Sequence, residues 1–387
     1  MKIFFRSLLV RLSIILIFMA SAAEAAIVDG LYEAEILVQS QSRSERDQAM
    51  SKALAQVFQK VSGRSNAQTL PGIADAISNA DRYLQQYLYR GQHETQYPIP
   101  QADPDSQLAW FRFDEQAVNG VLRDNNLPVW GRTRPATLVW LGVEQNGSRY
   151  MLGSDSAEEL RDLLEYEAQR QGMALVLPLL DLQDQRTLSF ADLWGNFQDS
   201  ILNASSRYQA EAVLVGRISL SSSDVWLGRW TLYESGRNVS WQSQGTYPDE
   251  VLSTGVAGTV EKLADVYAQS YSGESPGAVL LAVTGVTSLK DYARVTTYLK
   301  SLELVKDIQP TTITNDSARF RLSVRGNAES LAQTIKLGSV LQEEQITIES
   351  QSLPMNPSPS ANFFGMSSPV NDSSQTQSPD YTYRLMP

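Results

Sequence analysis

In "LYEAEILVQS", Tyr32, Ala34, Ile36 and Val38 alternate with more polar positions, a period of two that predicts a strand. The spacing then changes. In "SERDQAMSKALAQVFQKVSG", Met50, Leu54, Val57, Phe58 and Val61 share one helical face, with Ser44 as N-cap and Gly63 as stop. A second helix is expected from about Pro71, its stripe running through Ile73, Ile77, Ala80, Leu84, Tyr87 and Leu88. "LAWFRFD" reads as a strand and "EQAVNGVLRDNN" as a short helix, which completes a small α+β domain over residues 26–130.

A second domain, 131–272, opens with the strand "PATLVWLGV". It continues with a helix over 156–171, the strand "ALVLPLL", a helix over roughly 189–208 and the strand "AEAVLVGRISL". A hairpin around "SGRN" and a closing helix over about 249–270 finish it. Buried strands alternating with helices, followed by a meander, imply a mixed sheet with helices on its faces. "SGESPG" is a linker by composition. Residues 277–351 then give strand, helix, strand, strand, helix and strand ("QITIES"), the split βαβ order of ferredoxin-like folds. Residues 352–387 turn Ser- and Pro-rich and are expected to be disordered. Their end, "YTYRLMP", alternates again and is expected to return as an edge strand. The fold class is therefore α+β and α/β in several domains.

The amino terminus follows another logic. Lys2, Arg6 and Arg11 precede the apolar run "LSIILIFMA", and Ala23 and Ala25 supply small residues for a signal peptidase. The run is short of the ~20 residues a spanning helix needs, so residues 1–25 read as a cleaved signal peptide and the mature chain as periplasmic, with no membrane span. The chain carries a net charge of −11, which argues against nucleic acid as a partner. It has no cysteine, which removes disulfides, thiol nucleophiles and thiolate metal sites.

The candidate chemistry is sparse. Asp181 and Asp184 in "LPLLDLQDQRTLSFADLW" follow an apolar strand, with Asp192 and Asp199 beyond them. Their spacing lacks the alternation and glycine of a calcium loop. Ser189 reads as an N-cap with Asp192 in its first turn, leaving Asp181 and Asp184 as loop-end carboxylates of a binding site or of local structure. His93 is the single histidine, too few for a multi-histidine metal site, and no nucleophile elbow, phosphate loop or dinucleotide fingerprint is present. Neither metal nor cofactor is expected. Trp226 and Trp230 lie four apart on one strand and face one side, with Trp241 on the partner strand. They form either a platform for a glycan or the buried floor beneath the closing helix. Arg132 and Arg134, in "WGRTRP", mark a domain junction and are expected to hold a carboxylate of the chain or of a ligand.

Taken together, "ALAQVFQKVSG", "LPVWGRTRPATLVWLG", "LPLLDLQDQ", "DLWGNF", "ASSRYQAEAVLVGRI" and "WLGRW" resemble an exported proteobacterial family, domain of unknown function 2066, over most of residues 30–270. That resemblance implies a periplasmic location and no defined activity. The first segment is similar to the N-terminal domain of a periplasmic flagellar assembly protein. The second has the element order of the TolB N-terminal domain and of outer-membrane activators of peptidoglycan synthases. The expected function is a non-catalytic interaction or assembly factor of the cell envelope, with an envelope protein as partner. The alternatives are a hydrolase using Asp and Ser, and a module that binds a glycan or small ligand.

Overall fold

The computed structural model describes residues 26–94, 103, 105–156, 159–268, 277–302, 304–324, 328–338, 340–344 and 379–386. The expected signal peptide and linker, the strand expected at 345–350 and most of the Ser/Pro-rich tail lie outside the described residues. Those described fall into two compact units, one holding residues 26–268 with the helix near 330, the other 277–324 with 340–386.

In the first unit a short β1 (Ala26–Ile27) precedes β2 (Glu33–Val38), where Ala34, Ile36 and Val38 are buried as the period of two requires. Helix α1 (Arg43–Ser62) packs its Leu54, Val57, Phe58 and Val61 face onto that side. Its N-cap is Ser42, not Ser44: the Ser42 hydroxyl accepts from the Glu45 N–H at 3.3 Å. Gly63, at φ +66°, ends it in the left-handed conformation that glycine adopts without cost.

Helix α2 (Pro71–Ser78) stops at Asn79, and the expected continuation is corrected. Leu84, Tyr87 and Leu88 lie instead on a strand, β3 (Leu84–Gly91), antiparallel to β4 (Gln107–Phe113). The apparent helical stripe was a coincidence of spacing. Extended backbone completes a ladder with β4 and sets Tyr87 against Phe111, ring centroids 6.2 Å apart. The order is β2-β4-β3, followed by α3 (Glu115–Asp124), capped by Asp114.

Strand β5 (Thr133–Arg134) pairs with β1 and leads into the central sheet. That sheet comprises β6 (Thr137–Gln145), β7 (Ser148–Leu152), β8 (Leu175–Val176), β9 (Ala212–Leu220), β10 (Trp226–Glu234) and β11 (Arg237–Gly245), in the order β11-β10-β9-β6-β7 with β8 beside β6. The β6–β9 and β6–β8 pairs are parallel and the others antiparallel, so the sheet is mixed. Between its strands come α4 (Glu159–Gln171), α5 (Leu182–Thr187), α6 (Phe190–Gly195) and α7 (Gln198–Ser205), and α8 (Pro248–Tyr267) closes it. The single helix expected over 189–208 is broken, because Asn196 at φ +57° ends α6 with a left-handed residue. Strand β8 is shorter than "ALVLPLL" suggests, since the chain turns at Leu180, also at positive φ.

One face of the central sheet is sealed by α4 and α8, which bury Leu163, Leu164, Val251, Val256 and Val260 with Trp226 and Trp230. The other carries α6 and α7 over β6 and β9, around Trp140, Leu193 and Ile201.

The second unit contains β12 (Gly277–Thr284), α9 (Leu289–Ser301), β13 (Val305–Ile313) and β14 (Ser317–Val324). The chain then passes through α10 (Ala328–Lys336), which groups with the first unit, to β15 (Leu341–Glu343) and β16 (Tyr381–Leu385). The order is β13-β14-β12-β16-β15. The terminal strand is thus not at an edge. It runs parallel to β12 and antiparallel to β15, with Tyr383 and Leu385 buried.

Candidate functional site

The aspartates that follow β8 are spent on local structure. Asp181 caps α5, its carboxylate accepting from the N–H groups of Gln183 and Asp184 at 3.0 Å. Arg207 grips both of its oxygens, at 2.7 and 2.9 Å, and the guanidinium holds the Asp181 carboxyl down at about 2. Asp184 is buried; it accepts from Arg207 at 3.0 Å, from the Leu180 N–H at 2.9 Å and from the Tyr208 hydroxyl. Burial and that carboxylate together push the Tyr208 phenol up to about 12. Ser189 and Asp192 form the reciprocal cap of α6. Through Arg207 and Tyr208, Asp181 and Asp184 tie the loop after β8 to the segment that follows α7.

The indoles are equally committed. Trp226 and Trp230 are 6% and 0% exposed under α8, and Trp230 Nε1 donates to the Ser243 hydroxyl at 2.8 Å. Two glycines on α8 make the room. A Cβ at Gly255 would overlap the Trp230 ring, and one at Gly258 would stand 2.6 Å from Trp241 Nε1. The Trp226–Trp230 pair is core.

The two junction arginines have different fates. Arg132 is exposed and pairs with Glu115 at 3.3 Å. Arg134 is fully buried, its guanidinium stacked on Trp130 at 4.2 Å and donating to the carbonyls of Gly172 (2.6 Å), Lys60 (2.7 Å), Trp130 (3.2 Å) and Gly131 (3.3 Å). It does not hold the expected carboxylate. It caps the C-terminal turn of α1, where carbonyls and the helix dipole favour a cation. His93 lies in a short turn, Gln92–Glu94.

That junction leads to a cleft of about 200 Å³, which sequence reasoning did not point to. Its lining includes Glu33, Glu35, Lys60, Trp110, Tyr166 and Arg170. Lys60, in the last turn of α1, donates to the carbonyls of Gly30 at 3.1 Å and Glu33 at 2.9 Å. Burial, reinforced by repulsion from Arg134, lowers its ammonium pKa to about 8. Burial also raises the Glu35 carboxyl, against the pull of Arg90 at 3.2 Å. Trp110 lies between the guanidinium groups of Arg90 and Arg112, at 5.4 and 5.1 Å, and donates to Glu33 at 3.2 Å. Arg170 is held by Glu167 at 2.6 Å and by Ser253 at 2.9 Å.

The backbone on this wall is as informative as the side chains. The Phe113 N–H donates to the Tyr32 carbonyl at 2.9 Å, which fixes the phase of the β2–β4 ladder. Ala34, Ile36 and Val38 therefore turn their peptide groups toward β4, while Glu33, Glu35 and Leu37 turn theirs outward. The Glu33 carbonyl meets Lys60; among the described residues, no strand pairs with the outer edge at Glu35 and Leu37. The one sequence signal for this site was the edge-compatible alternation of "EAEILV" beside a lysine on the otherwise apolar face of α1.

The family comparison falls on this part of the molecule. A domain of unknown function (DUF8605) matches residues 25–131. The match spans β1 to α3 and includes Lys60 and the whole of β2, and it supports an uncharacterised family for that region, different in number from the one the sequence resembles. No curated protein matches the chain. A crystal structure of an uncharacterized protein is similar at 12% identity, covering 34% of this chain and 93% of that one, with a TM-score of 0.16, too low to carry an argument about fold. Among the described residues no helix is long and apolar enough to cross a membrane, and no cluster of His, Asp and Glu is placed to hold a metal ion.

Proposed function

We propose that this protein is a non-catalytic interaction factor of the bacterial cell envelope that captures an extended segment of a partner along β2. The outward-facing peptide groups of Glu35, which lines the cleft, and of Leu37, two positions along the same edge, carry this reading. An edge strand offers a ladder of donors and acceptors to an incoming strand, and the adjacent cleft offers side-chain recognition. The commitment of Asp181 and Asp184 to Arg207 and Tyr208 supports it over a hydrolase. The burial of Trp226 and Trp230 supports it over a glycan platform.

The signal-like amino terminus and the resemblance to the exported family support a periplasmic setting for this role. A ferredoxin-like reading of the second unit and a TolB-like reading of the central sheet fit an assembly protein, by analogy of architecture alone. A photo-crosslinking residue at Leu37, read by mass spectrometry from intact cells, should trap an envelope protein, and the same residue at Arg43 should not. Equal trapping at both positions, or none at Leu37, refutes the edge as the docking site. Intact mass of periplasmic material should show a chain beginning at Ala26.

A further inference from the structure

The face of the central sheet opposite α8 is only partly covered. Helices α6 and α7 lie over β6 and β9, whereas Val225, just before β10, and Leu227 and Arg229 at its start are exposed. So are Asn238, Ser240, Gln242 and Gln244 on β11. Strand β10 is therefore sealed on its even-numbered side and open on its odd-numbered side at that end.

Two arginines stand directly opposite each other on this open face, Arg217 on β9 and Arg229 on β10. Like charges in that register repel and destabilise a sheet. In a chain of net charge −11 the usual remedy is a neighbouring carboxylate, yet among the described residues neither arginine has an acidic partner. Glu144, two positions along β6 from Gly142, the residue opposite Arg217, is engaged by Arg149 at 2.9 Å. Arg217 makes one hydrogen bond, to the Trp194 carbonyl at 3.2 Å, and its buried Nε has none. Phe190 and Trp194, stacked at 5.2 Å, lie over Gly142, the residue opposite Arg217 on β6.

We propose that this open face docks an acidic segment of a partner protein, whose carboxylates lie across Arg217 and Arg229 while its apolar side chains cover Val225 and Leu227. The planar arginine fork matches carboxylates in two-point contact, and the exposed guanidinium of Arg229 is free to make it. The adjoining apolar positions favour a protein segment over a bare inorganic anion, which would leave Leu227 in water. The surface is separate from the β2 edge, so the failure of either proposal leaves the other standing.

The test uses the full chain labelled with nitrogen-15 and three probes: a synthetic peptide alternating glutamate and leucine, its lysine–leucine counterpart, and inorganic phosphate. The glutamate peptide should shift the Nε resonances of Arg217 and Arg229 and bind more weakly as salt rises. Arg229→Glu should weaken it by about tenfold or more and Arg229→Gln by less, while Arg43→Gln on α1 should bind as the parent does. Arg229 is exposed, so both variants are expected to fold, which a thermal melt checks. Unchanged affinity in Arg229→Glu, no binding of the glutamate peptide, or equal binding of phosphate or the lysine peptide would each overturn the proposal.

Discussion

The two sides of β10 put one strand into opposite circumstances. Trp226, Trp230 and Leu232 disappear beneath α8, with Gly255 giving way to the Trp230 ring, whereas Val225, Leu227 and Arg229 meet water. Alternation along a strand dictates that the two sets part, but it does not say which side is covered. The covering helix decides, and it can do so here only because two of its residues lack a side chain. Fit is thus concentrated on one face, and the other is left able to meet something else.

That contrast can be broken experimentally. Trp230→Ala should cost about 3–5 kcal/mol, the range for emptying a large aromatic site, measured by chemical denaturation. A loss under 1 kcal/mol would mean that α8 is not seated on the indole.

The same contrast extends to charge. Lys60 is buried and its folded pKa, about 8, lies below the ordinary 10.5, so the unfolded chain binds more protons between those values. Stability of the parent should therefore rise as pH climbs from 8 to 10.5, by at most about 3 kcal/mol. Lys60→Met should lack that increment, and Arg229→Gln, on the open face, should keep it. Parallel profiles for parent and Lys60→Met would show that the amine is well solvated.

Gly255→Ala sets two effects against each other. Helix propensity favours alanine by about 1 kcal/mol, but its methyl group would overlap Trp230, at a cost of about 1–3 kcal/mol. Net destabilisation is expected, and a higher melting temperature would mean that α8 slides easily. The smallest effect belongs to Leu227→Gln on the open face, within about 0.5 kcal/mol in the isolated protein. A larger loss would show that this face is covered.

Local chemistry made much of this legible. The alternation of "WLGRWTLYE" placed both indoles on one side of β10, Gly63 ended α1, and Ser189 with Asp192 announced the cap of α6. Where spacing satisfied two periods, the reading failed. Leu84, Tyr87 and Leu88 fit a helix on paper, and only the partner strand β4, about 20 residues on, selects extended backbone. The Lys60 cleft was illegible for another reason. Its walls come from α1, β2, β4 and α4, and no short window contains the ladder phase that turns Glu35 outward or the carbonyls that hold the amine. Arg134 was recognised as a junction residue, but a carboxylate was expected where four backbone carbonyls stand, because carbonyls brought together from α1 and two connections do not show in a sequence pattern.

The place of β16 between β12 and β15 has a consequence for the order of events during synthesis. Among the described residues β15 has its ladder partner only in β16, which emerges from the ribosome well after it. Until then β12, β13 and β14 can assemble through α9 as a split βαβ unit with β14 in the middle, while among the described residues β15 has nothing to pair with and the side of β12 away from β14 stays open. The second unit thus carries a built-in delay, during which its half-finished sheet is available to any chaperone that recognises an unpaired strand.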